Sequence, residues 1–225
     1  MTEVLPGILA QDAAELREKL FFPGFWQPGM IAHIDILDGT MFGATCFCDP
    51  SSAKASEGKA IPPIELHCMV QNPMPIIEQW KSIAPETMRA IVHAEIERPL
   101  APILHQIREL GLETGVALCP RTSPNVLNDL PQLPDRLLIM GVEPGASGKP
   151  FVGEPILAKI RRVRSLHPSL TIAVDGGMNE DTARSVIAAG ANALIATSAI
   201  WSAKRPHDAY QQLTHNNTLP GVHNI

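Results

Sequence analysis

Short apolar runs alternate along this chain with stretches whose apolar residues recur at three- and four-residue steps. The runs fall at 4–10, 31–37, 64–70, 90–94, 115–119, 137–142, 171–174 and 193–197. Each has the length and the aliphatic content of a strand buried on both faces. Helical spacing is clearest at 101–110 (APILHQIREL), 155–166 (PILAKIRRVRSL) and 182–189 (TARSVIAA). Gly111 and Gly190 stand where two of these helices should stop, and Asn179 is placed to cap the helix beginning near Glu180. Eight strands alternating with helices imply a parallel sheet. In one compact domain that sheet is expected to close, giving an α/β fold of the (β/α)8 TIM-barrel type. An open doubly wound sheet is the alternative, but the first strand–turn–helix lacks the G-x-G-x-x-G of its dinucleotide-binding version. The domain is assigned to residues 1–214, and the polar segment 215–225 is read as a loosely ordered tail.

One interval breaks the rhythm. Residues 39–63 offer only a short helical candidate around 52–57. A long loop after a barrel strand lies on the C-terminal face, where active sites are built.

Composition narrows the partners. A formal net charge of -5 gives no basic face for nucleic acid or an anionic membrane. No run approaches the roughly 18 apolar residues of a spanning helix. The N-terminal stretch turns charged before a signal-peptide core could form, so a cytoplasmic protein is expected. The four cysteines (Cys46, Cys48, Cys68, Cys119) are too few and too unevenly spaced for a disulfide framework. Cys46-x-Cys48 is half of a metal motif that no second pair completes.

The chemistry sits at strand ends. In IAHIDILDG (31–39), alternation puts His33 and Asp35 on one face. In IELHCMV (64–70), His67 shares a face with Glu65 and Met69, and TIAVDGG (171–177) carries Asp175. The C-terminal ends of barrel strands converge, so two imidazoles and two carboxylates can meet there. A lone buried His or Asp is ordinarily a hydrogen-bonded core residue. Four at the ends of three strands make a divalent metal site with mixed N and O ligands, open to Zn, Fe(II), Mn or Co. Anion-binding chemistry follows the last strands: Gly145-Ala146-Ser147-Gly148, then Gly176-Gly177, then Thr197-Ser198. Glycines let backbone N–H groups approach a phosphate, and hydroxyls add donors. GASGKP (145–150) is not a P-loop, because Pro150 stands where Ser or Thr should be.

With these pieces in place, the chain resembles the ribulose-phosphate 3-epimerase family. The likeness rests on HIDILDG (33–39), ELHCMVQNP (65–73), VHAE (92–95), GVALCPRT (115–122), LIMGVEPGASGKPF (138–151) and VDGGMNEDTA (174–183), and it extends from residue 6 to residue 200. The resemblance implies one divalent metal ion per chain, held by His33, Asp35, His67 and Asp175. Asp35 and Asp175 are then the catalytic acid and base for inversion at C3 of a ketose phosphate, D-ribulose 5-phosphate to D-xylulose 5-phosphate. It implies phosphate or substrate contacts from Gly7, His67, residues 145–148, Gly176, Gly177, Thr197 and Ser198, with Met69 and Met140 as inner methionines. A homo-oligomer is compatible with this reading.

Departures from the family pattern fall on the substrate grip. Gly7 replaces a serine that contacts substrate, Leu37 a methionine, Ala146 a phenylalanine, Lys149 a glutamine and Thr197 a glycine, and GATCFCDP replaces the usual loop after Phe42. On this reading, restoring the hydroxyl by Gly7→Ser is expected to lower KM. Three alternatives stand beside it: a 3-epimerase of a six-carbon ketose phosphate, a metal-independent barrel isomerase, and a degenerate barrel that only binds a phosphosugar.

Overall fold

A computed structural model describes residues 2–47, 49–53, 61–146 and 148–215. Eight strands, β1 (Glu3–Ile8), β2 (Ala32–Leu37), β3 (Ile64–Met69), β4 (Thr87–His93), β5 (Glu113–Leu118), β6 (Arg136–Met140), β7 (Thr171–Asp175) and β8 (Ala193–Ala196), pair in parallel and in sequence order. β8 returns to β1 and closes the barrel. All eight expected strands are present, and their ends shift by a few residues. Around them run α1 (Ala13–Leu20), α2 (Met74–Ile83), α3 (Leu100–Glu109), α4 (Glu154–Leu166), α5 (Glu180–Ala189), a short α6 (Ser198–Trp201) and α7 (Pro206–His215). Asn179 caps α5 as expected, its side chain accepting from the N–H groups of Asp181 and Thr182 while Thr182 bonds back to the Asn179 N–H.

Among the described residues, two connections show only a short turn. The one between β5 and β6 holds only a 3₁₀ turn, Pro124–Asp129. Between β2 and β3 a second turn covers Pro50–Ala53, and the rest of the helical candidate expected at 52–57 lies outside the described residues. The tail 215–225 is likewise outside them, except for His215, which ends α7. Among the described residues no helix is long and apolar enough to cross a membrane.

Two apolar layers follow from strand alternation. Outward residues such as Ile34, Leu66, Val92 and Ile172 pack under the helices. Inward residues Leu5, Ile91, Ala117, Leu138, Ala173 and Ile195 fill the lumen. Part of the interior is polar, and it was not anticipated. Glu65 of β3 is fully buried between Arg89 of β4, whose Nη1 lies 2.5 Å from Oε2, and Arg136 of β6, with Nη1 at 3.0 Å. Glu113 and Glu3 close the pairs on the far sides of the two arginines. A buried carboxylate flanked by two guanidiniums stays ionised, and Glu65 is held down at about 2; burial opposes its charge, while the His33 hydrogen bond and both arginines outweigh that effect. This platform is what the metal-site candidates stand on.

Candidate active site

His33 Nδ1 approaches Glu65 Oε1 at 2.6 Å. The ionised carboxylate only accepts, so this nitrogen carries the proton. The other nitrogen, Nε2, is buried without a hydrogen-bond partner and lies 3.4 Å from Asp35 Oδ1. Nε2 is thus the nitrogen turned toward Asp35 and the rest of the cluster, as a ligand's should be once a cation displaces its proton. Asp35 Oδ1 also lies 2.9 Å from His67 Nδ1, and Asp175 Oδ2 lies 3.8 Å from that same nitrogen. Strand register produces this convergence, since Asp35 stands beside His67 across the β2–β3 ladder. All four residues are buried, and one donor atom from each falls within 4.8 Å of the others. The four residues singled out in the sequence are thus brought together.

Electrostatics pulls the two aspartates apart. Burial opposes charge on Asp35, but the His33 imidazole 3.4 Å away and the hydrogen bond from His67 hold it well below the carboxylate range. Asp175 is pushed up to about 7, first by burial and then by the charge of Asp35. Burial lowers His33, yet Asp35 and Glu65 outweigh it and raise the imidazole to about 10. Negative charge is in excess at this spot, which suits a divalent cation.

Above the four residues opens a cleft lined by Leu37, Met69, Met140, Lys149, Gly176, Gly177, Thr197 and Ser198, among others. Gly176 and Gly177 have φ of +98° and +72°. A Cβ on Gly176 would come within 2.5 Å of Val142, and one on Gly177 within 2.7 Å of the Phe151 backbone, so only glycine fits this turn. Gly145 and Ala146 line the cleft and Gly148 joins them; Ser147 lies outside the described residues. Lys149 is the one Lys or Arg among the described lining residues, and its ammonium is tied to the Glu143 and Pro144 carbonyls. Cys46 turns its thiol onto the Asp35 carbonyl at 3.3 Å, and Cys48 lies outside the described residues.

Gly7 requires a correction. It is buried and does not line the cleft. A Cβ there would fall 2.1 Å from Thr197 Oγ1 and 3.0 Å from Ile195 Cγ2. The Thr197 side chain already fills the volume that a residue-7 side chain needs. Gly7→Ser is thus expected to weaken the fold by about 1–3 kcal/mol through overpacking rather than to improve binding. Adding Thr197→Gly should restore most of the loss. Denaturant unfolding of the two single variants and the double variant measures this; purely additive losses would show that the positions do not share one space.

Sequence reasoning missed three residues. Glu65 was placed on the His67 face without a role, although that placement is what lets it orient His33. His93 and Glu95 sat inside VHAE unexplained. His93 Nε2 lies 2.9 Å from His67 Nε2, and its Nδ1 lies 2.9 Å from Glu95 Oε2.

A closed parallel barrel with its ionisable side chains gathered at the C-terminal mouth belongs to the α/β-barrel enzymes. The chain is a member of the ribulose-phosphate 3-epimerase family, whose signature matches residues 3–201. Ribulose-phosphate 3-epimerase of Bacillus subtilis is 32% identical over 206 residues, covering 89% of this chain and 93% of its own length. The protein of that name from Chlamydia muridarum is 34% identical over 174 residues, 75% of each chain. Among solved structures, 3-hexulose-6-phosphate synthase superposes with a TM-score of 0.62 at 17% identity, covering 96% of this chain and 99% of that one, a likeness of fold alone. The protein is accordingly a carbohydrate epimerase, and its reaction class is epimerisation of a pentose phosphate.

Proposed function

We propose that the chain interconverts D-ribulose 5-phosphate and D-xylulose 5-phosphate, with one divalent ion of Zn, Fe(II), Mn or Co held by His33, Asp35, His67 and Asp175. The observation that carries the reading is the convergence of four buried donors, with Nε2 of His33 lacking a hydrogen-bond partner beside two carboxylates and a second imidazole. A bound cation supplies Lewis-acid charge that stabilises an enediolate by several kcal/mol. The protein residues do the rest. Asp35 and Asp175 stand on different strands around the same point, so one takes the C3 proton and the other returns a proton to the opposite face. Their split proton affinities, one low and one near neutrality, suit a pair that exchanges roles between the two epimers. Residues 145–148, Gly176, Gly177, Thr197 and Ser198 form the phosphate end, and Lys149 adds the cleft's positive charge. Orienting the phosphate there fixes C3 between the aspartates.

The test is turnover of metal-reconstituted protein on D-ribulose 5-phosphate beside a six-carbon ketose 6-phosphate. We expect kcat/KM to favour the pentose. Preference for the hexose would change the substrate, and no turnover of either would leave a binding barrel.

A further inference from the structure

A second group of metal-capable side chains lies at the ends of β4 and β5: His93, Glu95 and Cys119, with donor atoms within 4.8 Å of one another. Its atoms are already committed. Glu95 Oε1 accepts from the Cys119 N–H at 2.8 Å and from the Thr122 hydroxyl, while Oε2 faces His93 Nδ1. Burial and the charge of Glu95 push the Cys119 thiol far up, so it stays protonated. Such a group is poorly suited to hold an ion of its own. What it presents outward is His93 Nε2, 2.9 Å from His67 Nε2. The two ring centroids are 5.0 Å apart and the planes differ by 21°, the arrangement of rings meeting edge to edge through that N···N contact.

Protons can be counted along this chain. Burial works against the charge of Glu95, but hydrogen bonds from His93, Thr122 and Cys119 hold it at about 2, so it is an acceptor only. His93 Nδ1 must then carry the proton. Nδ1 of His67 is the nitrogen that faces the carboxylates of the metal cluster, 2.9 Å from Asp35 Oδ1 and 3.8 Å from Asp175 Oδ2, so it is the atom a cation would take. A neutral imidazole bound through Nδ1 carries its proton on Nε2, and His93 Nε2, directly opposite, is then the acceptor. In the ion-free protein the same Nδ1 donates to Asp35 Oδ1, so taking up the ion requires the proton of His67 to move to Nε2, where His93 receives it.

We propose that Glu95 and His93 are positioning residues that fix the tautomer of His67 and so present its Nδ1 to the divalent ion, an inference that rests on the metal site proposed above. They act only through His67. The arrangement parallels Glu65 and His33, with one more imidazole inserted between carboxylate and ligand.

The proton positions are read directly from long-range ¹H–¹⁵N spectra of the Zn(II)-loaded full chain. We expect His67 protonated at Nε2 and His93 at Nδ1. In Glu95→Gln, the amide oxygen is retained by the Cys119 N–H and the Thr122 hydroxyl, so the NH₂ faces His93. Both tautomers should reverse, placing a proton on the ligand atom of His67. Co(II) titration of that variant should show affinity about 10–100-fold below wild type. Glu95→Asp, which keeps an acceptor, should recover part of it. A wild-type His67 with a proton on Nδ1 overturns the inference, as does a Glu95→Gln protein with wild-type tautomers and Co(II) affinity. Wild-type protein that takes up neither Co(II) nor Zn(II) defeats the metal reading, and with it this inference. The wild-type spectrum decides the matter if the variant does not fold.

Discussion

Asp35→Asn and Asp175→Asn are each expected to lower kcat by at least 10²–10⁴-fold, because an amide can neither take nor return a proton in this pH range. Wild-type product made in heavy water should carry deuterium at C3, since the proton removed by one aspartate is not the one delivered by the other. Retro-aldol cleavage would leave C3 protonated and invert C4, and a transient oxidation would return the original hydrogen. Metal content has to be measured in both variants, because each removes a charged ligand candidate. Stability offers a readout independent of activity. Asp175 is held near 7 by burial and by the charge of Asp35, so replacing it removes a strained charge at pH 8. Metal-free Asp175→Asn should unfold at a higher temperature than metal-free wild type at that pH. A metal-loaded variant that epimerises near the normal rate, or product without deuterium at C3, would end the two-aspartate mechanism.

Chelation should abolish activity and lower Tm, and reloading with Zn, Fe(II), Mn or Co should restore both. At free metal 100 times Kd, binding stabilises the native state by about 2.7 kcal/mol, or roughly 5–11 °C for a chain of this size. The sign with pH follows from two groups. Asp175, raised from 3.8 to about 7, contributes stability to the metal-free protein that fades as pH climbs through that interval. His33, raised from 6.5 to about 10, contributes stability that is complete below 6.5 and lost toward 10. A cation replaces those protons and binds more tightly as pH rises. The Tm gap between loaded and chelated protein should therefore widen from pH 5 to pH 8. Equal melting curves with and without chelator, at unchanged activity, would remove the metal from the mechanism.

How far the sequence could be read depended on whether a feature lies within one strand. The alternation that puts His33 and Asp35 on one face is local, and the structure keeps it. The cap at Asn179 is local too. The Glu65 platform is not, because it needs Arg89 and Arg136 to arrive from β4 and β6, and that is a property of barrel closure. The Glu95–His93–His67 chain depends in the same way on the closing geometry of neighbouring strands. In the loop after Phe42, Cys46 and Asp49 are metal-capable by type, yet among the described residues neither joins the two clusters of such side chains.

Gly7 and Thr197 stand 190 positions apart in sequence and side by side in space, because Pro6 and Ala196 are register partners where β8 meets β1. Two positions that look separate along the chain are therefore one packing problem. A side chain at 7 and a threonine at 197 would claim the same space, so a change at either has to be read together with the other. Placing a side chain back at residue 7 asks for a smaller one at 197 in the same step.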